Sequence, residues 1–257
     1  MYRRLWQHRG LIVSFTYRQY QLRYRQSMVG FVWAVLPIIA TLFAGTLVFH
    51  KMVKVDTGGI PYPIFTLAAL VPWTFFSNGL GSSIPAVLNM SGMVTRLGFP
   101  RGCLPLSMIG TAFIDLAVSI GVYVAAVLLL RTGLPWTIVW VPVLLMVELL
   151  FLLGLTFLFS ALNVFARDIK LAVPIILQFW LFVTPVMYPL SAVPPGYKIF
   201  FELNPMTGIV QTFRGALILG VSPNFTLLIP SIVIGLFTLV IGSWYFSATE
   251  ARFADAL

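Results

Sequence analysis

The chain has 257 residues, of which 60% are apolar and 9% charged, with a formal net charge of +9 and a mean hydropathy of +0.98. About a quarter of residues are charged in a soluble globular domain, so that class is excluded. A single cysteine, Cys103, forbids an internal disulfide, and no Cys/His group has metal-ligand spacing, which argues against redox and zinc chemistry.

A helix that crosses a bilayer needs about 20 mostly apolar residues. Stretches such as LLIPSIVIGLFTLVIGSWYF (227–246) are apolar on every side, unlike the alternating strands of a membrane barrel, so the spans read as helices. The first 26 residues carry Arg3, Arg4, Arg9, Arg18, Arg23 and Arg25 and no acid, and lack the pattern of a signal peptide. Leu5, Trp6, Ile12, Phe15 and Tyr20 are interleaved with these arginines, as in an amphipathic helix lying in the membrane interface; a positive flank that orients the first span reads equally well. Six spans follow, near 28–49, 63–89, 104–130, 137–163, 171–189 and 225–247. With the N-terminus inside, eleven Lys and Arg outside the spans fall on the cytoplasmic side and five on the other. Both termini are therefore expected in the cytoplasm.

Residues 190–224 hold two short amphipathic stretches broken by Pro194, Pro195 and Pro205, too short to span. They read as a re-entrant outer hairpin between the fifth and sixth spans, where non-spanning backbone must be buried in protein or line a wet cavity; an interfacial loop covering the bundle is the plainer reading. Two acids lie within spans, Asp115 and Glu148, at different depths and with no evident pair, so inter-helix hydrogen bonding is expected of each rather than an ion relay. The histidines, His8 and His50, fall on opposite sides, and no hydrolase elbow, zinc-protease pair or phosphate loop occurs. The chain is expected not to be an enzyme, and any ATP must be bound by another chain. The basic loops TRLGFPRGC (95–103) and ARDIK (166–170) read as docking points for such a partner or as simple positive anchors. Aromatic side chains are 15% of the chain and dense in the first span, in 71–78 and in 178–188. Most belong to packing or the interfacial belt, but an aromatic-lined path suits the apolar face of a sugar ring, whereas an ion pore wants carbonyl or charged rings.

Together the segments RYRQSMVGFVWAVLPI (23–38), PYPIFTLAALVPWTFFSN (61–78), RLGFPRGCLPLS (96–107), NVFARDIKLAVPIILQFWLFVTPVMYPLSAVPPG (163–196) and ELNPMTGIVQTFRGALI (202–218) resemble the permeases of type 2 ABC exporters. The likeness runs in order over nearly the whole chain and is greatest to the branch that exports O-antigens, capsular polysaccharides and teichoic acids. It implies one all-helical transmembrane domain over 1–257: an interface arm (1–26), five spans (27–189), an outer gate hairpin (190–224), then the sixth span and tail (225–257). It also implies a bacterial inner-membrane homodimer docked on two copies of a separate ATPase that carries ATP and magnesium, this chain holding no cofactor. The cargo is a lipid-linked glycan, with membrane lipid and no nucleic acid as further partners. A permease for a drug or simple lipid, or less readily a membrane-embedded transferase, is the alternative.

By the same resemblance the loop around 91–102 couples to the ATPase through Thr95, Arg96, Phe99, Pro100 and Arg101. The outer gate involves Pro195, Tyr197, Asn204, Pro205 and Arg214. The first and fifth spans line the channel, with Phe31, Trp33, Phe43, Phe179, Trp180, Phe182 and Tyr188 as aromatic candidates. From chemistry, Arg18, Arg23 and Arg25 are placed to fork onto a lipid-carrier phosphate or onto ordinary anionic headgroups. Arg167 and Asp168 are expected to pair locally and cap the fifth span. Pro37, Pro174 and Pro185 are expected to kink their spans or to be packed.

Overall fold

A computed structural model describes residues 1–25, 32–90, 92 and 99–253. The described residues are all helical or irregular, with no strand. The arm is two helices, α1 (Tyr2–Gln7) and α2 (Arg9–Tyr20), continued by a wide turn to Arg25. There follow α3 (Val32–Gly45, wound on more loosely to Met52), α4 (Tyr62–Ser83), a short α5 (Ala86–Asn89) and α6 (Cys103–Leu130). The second half holds α7 (Val141–Phe165), α8 (Ile169–Val183), α9 (Lys198–Leu203), α10 (Pro205–Arg214, continued by a wide turn to Leu219) and α11 (Phe225–Thr249). Among the described residues five stretches are long and apolar enough to cross a membrane: Ala34–Met52, Tyr62–Ser83, Cys103–Leu130, Trp136–Phe165 and Phe225–Arg252.

The fifth apolar run is shorter as a helix than the 171–189 expected of it. α8 has 15 residues, about 22 Å at 1.5 Å per residue, against a hydrocarbon core of about 30 Å. It stops because Pro185 follows Thr184: the residue before a proline is forced out of the helical region, and Thr184 sits at φ −90°, ψ 130°. The second expected span, 63–89, is divided at Pro85 into α4 and α5, although Ile84 before it keeps helical angles (φ −59°, ψ −50°).

α4 is the centre of the bundle, its central aromatics Phe75 and Phe76 having no exposed surface. α6 packs along one side of it, while α7 pairs with α11. That second pair approaches backbone to backbone at Gly154 and Gly242: a Cβ on Gly242 would collide with the Gly154 carbonyl, and one on Gly154 would lie 2.5 Å from the Leu239 nitrogen. Without a hydrophobic drive between helices in lipid, such close small-residue packing is what holds spans together. α3 and α8 stand apart, with most of their surface uncovered; α8 buries only Val173 and Leu177.

One end of the bundle gathers the arm, the loop Phe99–Gly102 and the C-terminal end of α11. Leu5 is buried there with Cys103, Leu104, Phe157, Phe246 and Phe253 in a core of its own. Tyr2 hydrogen-bonds Ser243 at 2.5 Å. The Thr16 hydroxyl donates to the Ser107 carbonyl at 3.1 Å, beside Gly110, where a Cβ would collide with Thr16. The arm is thus a packed part of the fold. The opposite end gathers 53–61, 131–140 and 184–224.

Candidate functional site

At the arm end Phe99 tilts against Phe15, ring centroids 5.7 Å apart. Pro100 lines a cavity of about 120 Å³ shared with Met1, Arg4, Leu5 and Phe246. The Arg101 backbone nitrogen donates to Glu250 Oε1 at 2.7 Å, its guanidinium donates to the Glu250 carbonyl, and it lies 5.9 Å over the Phe253 ring. The described part of the candidate coupling loop is thereby tied to both the arm and the tail. In the second basic loop, Asn163 accepts from the Lys170 nitrogen at 3.0 Å and donates to the Ile84 carbonyl at 3.2 Å. Asp168 stands at the N-cap of α8, but its side chain makes no capping bond, and no ion pair joins it to Arg167 among the described residues. The expected local pair is not formed; the acid remains positioned to favour the helix dipole.

Arg23 leads from the arm into the spans. Its guanidinium meets Asp115 Oδ2 at 2.9 Å, and the same oxygen accepts from Asn78 Nδ2 at 3.1 Å. A cavity of about 120 Å³ beside them is lined by Thr74, Ser119 and, from α3, Pro37 and Ile38. Asp115 is therefore an inter-helix hydrogen-bond acceptor, as expected, and it has a cationic partner that the sequence did not reveal. The Asp115 side chain is 6% exposed and that of Arg23 48%. Arg18 is exposed on α2, beside a cavity shared with Phe15, Asn89 and Met90. Glu148 differs from expectation: it is fully buried, and neither carboxylate oxygen has a hydrogen-bond partner among the described residues.

At the opposite end the hairpin has two unlike limbs. The first, with Pro195, Tyr197 and α9, is mostly exposed, whereas α10 is buried along its length. Asn204 sits at the bend, with both ends of its amide engaged. Its Oδ1 caps α10 by accepting from the Met206 nitrogen at 3.1 Å and also accepts from Trp180 Nε1 at 3.0 Å, while its Nδ2 donates to Thr184 at 3.0 Å. The Pro205 carbonyl accepts from Ser231 at 2.6 Å, and Gly208 lets α10 press on the Leu227 carbonyl. Arg214, at the end of α10, is buried. It donates to the carbonyls of Val186 (2.8 Å), Pro185 (3.1 Å) and Phe65 (3.3 Å), and lies 3.7 Å over the Phe65 ring. Beyond it the wide turn leaves carbonyls free of helical bonds, and hydroxyls supply the donors: Tyr123 to Leu217 and Thr137 to Ala216, both at 2.7 Å.

The aromatic candidates divide. Phe43 on α3 and Phe179 and Phe182 on α8 are exposed, at 65%, 71% and 51%. Trp180 turns inward instead: its ring stands edge-on to Phe76 at 5.3 Å and to Phe151 at 6.0 Å, besides its bond to Asn204. It is a packing residue of the bundle. Tyr188 stacks on Phe49 at 5.8 Å and donates to the Phe182 carbonyl at 2.6 Å, so it supports the end of α8. Phe31, Thr95 and Arg96 lie outside the described residues, as do the side chains of Arg25 and Trp33.

Sequence reasoning passed over Tyr62, which donates to the Met187 carbonyl at 3.0 Å, along with Asn78, Tyr123 and Thr137. A hydroxyl or amide inside an apolar run is the available signal for such residues, since lipid offers them no partner.

Comparison with known proteins joins these features. An O-antigen export system permease protein RfbA of Myxococcus xanthus is 28% identical over 258 residues, covering 99% of this chain and 98% of the relative. An RfbA of Klebsiella pneumoniae is 25% identical across 96% of this chain and 95% of its own length. A polysialic acid transport protein KpsM of Escherichia coli is 24% identical across 79% of each. The family model described as ABC-2 type transporter matches residues 10–218, from the arm through the buried limb of the hairpin, and the chain belongs to that family of multi-pass membrane transport proteins.

Proposed function

We infer that the chain is the permease subunit of an ATP-driven polysaccharide exporter. The observation that carries this reading is the match, over nearly its whole length, to permeases named for O-antigen export. We propose that the cargo is a lipid-linked glycan crossing the bacterial cytoplasmic membrane. ATP and magnesium would be bound by two copies of a separate subunit, against a homodimer of this chain with both termini in the cytoplasm.

In this reading the whole chain is one transmembrane domain of six spans. α8 and the stretch after it to Tyr188 make the fifth, and α9 and α10 form a re-entrant gate hairpin on the outer face. The burial of α10, too short to cross, supports that role. Uncovered surface on α3 and α8 supports a channel between two copies, with Phe43, Phe179 and Phe182 offering rings to passing sugars. Pro195 and Tyr197 belong to the mobile limb of the gate, whereas Asn204, Pro205 and Arg214 hold the fixed one. Phe99, Pro100 and Arg101 pass motion of the ATPase to the arm through Phe15 and to the last span through Glu250. Arg23, steadied by Asp115, and Arg18 receive the lipid-carrier phosphate.

The test is co-purification with candidate ATP-binding subunits from the source cells, and ATP hydrolysis measured with and without lipid-linked glycan from those cells. A stable complex stimulated by the glycan is the expected result. Equal stimulation by simple lipids or drugs would favour the alternative permease, and failure of any ATPase to associate would sink the reading.

A further inference from the structure

A groove of about 620 Å³ lies between the arm and the flanks of α6 and α7. Its floor is apolar, made by Leu106, Leu153 and Phe157. Its rim carries Arg3, Trp6 and Arg9, all exposed, with the Arg9 guanidinium 5.4 Å over the Trp6 ring. Neither Arg3 nor Arg9 forms an ion pair among the described residues, and residues 1–25 contain no acid.

A slot that is greasy below and doubly cationic above has a mismatch with both of its possible surroundings. Water wets the floor unfavourably, and bare hydrocarbon leaves the guanidiniums uncompensated. An amphiphile with one acyl chain to lay on the floor and one phosphate to set between the arginines answers both. We propose that this groove is a binding site for an anionic phospholipid of the leaflet at the arm end. Its acyl chain lies along Leu106, Leu153 and Phe157, and its phosphate is held by Arg3 and Arg9. Charge complementarity selects the occupant: a guanidinium grips phosphate oxygens in a fork, and the interfacial Trp6 marks headgroup depth.

The bound lipid acts as a wedge that seats the arm. Near its start the arm is otherwise held by the buried Leu5 and by the Tyr2–Ser243 hydrogen bond, so arm position becomes sensitive to the anionic lipid content of that leaflet. The site lies between the arm and the flanks of α6 and α7 and holds whatever the exporter's cargo is.

The test uses the full-length chain, purified in uncharged detergent and stripped of lipid, with thermal unfolding as readout. Phosphatidylglycerol is expected to raise the melting temperature saturably, phosphatidylcholine much less, and glycerol phosphate not at all. The double variant R3Q/R9Q is expected to melt as the parent does without lipid, but to need about fivefold more phosphatidylglycerol for each arginine removed; R3K/R9K keeps most of the affinity. V13W, which fills the groove from its exposed edge, should also weaken binding. A photoactivatable phosphatidylglycerol labelled in its chain should mark peptides containing Leu153 and Phe157. Equal shifts from both phospholipids, an unchanged response in R3Q/R9Q, or protection by glycerol phosphate alone would overturn the proposal. So would loss of the label on addition of the ATPase subunit, which would show a protein covering the groove.

Discussion

Arg214 offers the sharpest test of how the hairpin is fixed. Its buried fork joins three segments: the end of α10, the start of α4 at Phe65, and the stretch Pro185–Val186 after α8. Two of its bonds are short, at 2.8 and 3.1 Å, and hydrogen bonds from a charged donor contribute about 1.5 to 3 kcal/mol each. Contact with the Phe65 face adds about 2 kcal/mol in a desolvated setting. Against this stands a desolvation penalty of several kcal/mol for the guanidinium. R214A removes the favourable terms and leaves the Pro185 and Val186 carbonyls buried without donors, so we expect a net destabilisation of about 3 kcal/mol, near a hundredfold in the unfolding equilibrium. R214K should recover less than half, because one ammonium does not span three carbonyls on two segments. The assay is unfolding of the purified chain in detergent, with hydrogen exchange followed at Val186, whose nitrogen donates to the Thr184 carbonyl at 2.7 Å. If R214A melts within about 0.5 kcal/mol of the parent and Val186 keeps its protection, the fork does not hold the hairpin and the reasoning fails.

Three further outcomes are expected. G242V should cost about 3 kcal/mol or more, or prevent accumulation of folded protein, because the added carbons meet the Gly154 backbone rather than a side chain that can turn aside; G121A, in open space on α6, should be neutral or stabilising by up to about 1 kcal/mol. A double-mutant cycle with R23Q and D115N should give a coupling of about 1 kcal/mol, small because Arg23 is half exposed and partly screened; a coupling of zero would mean that Asp115 does not steady Arg23. F179A and F182A should leave melting unchanged within about 0.5 kcal/mol yet lower glycan-stimulated ATP hydrolysis, whereas W180A should destabilise the fold by about 3 kcal/mol because its ring packs on Phe76 and Phe151.

The long helices are legible because lipid imposes one simple requirement on a span, an unbroken apolar run. The third run, read as 104–130, is found at Cys103–Leu130. Where proline chemistry intervenes hydropathy misleads: the run 171–189 stays apolar past Val183, yet the helix ends there ahead of Pro185. Hydropathy is likewise silent about which way a ring faces. Trp180 falls three residues after Leu177, itself four after Val173, the spacing of one helical face; those two are the buried residues of α8, so the signal for an inward Trp180 was present in the periodicity. The Arg23–Asp115 pair was beyond sequence, since its members are 92 residues apart and meet only when the arm folds back on α6. Arg214 is legible in the sequence only as a charge outside the spans and, by resemblance, a gate residue, because only tertiary structure brings three carbonyls to one guanidinium.

The central claim, that this chain forms the membrane path of a polysaccharide exporter, is tested most directly by transport itself. Inverted membrane vesicles containing the chain and its ATPase would be loaded from outside with radiolabelled lipid-linked glycan, and the label that becomes protected from a glycan-degrading enzyme would be followed. The account predicts ATP-dependent protection that is lost when this chain is omitted. Protection that proceeds equally without the chain, or none despite active hydrolysis by the assembled complex, would contradict it.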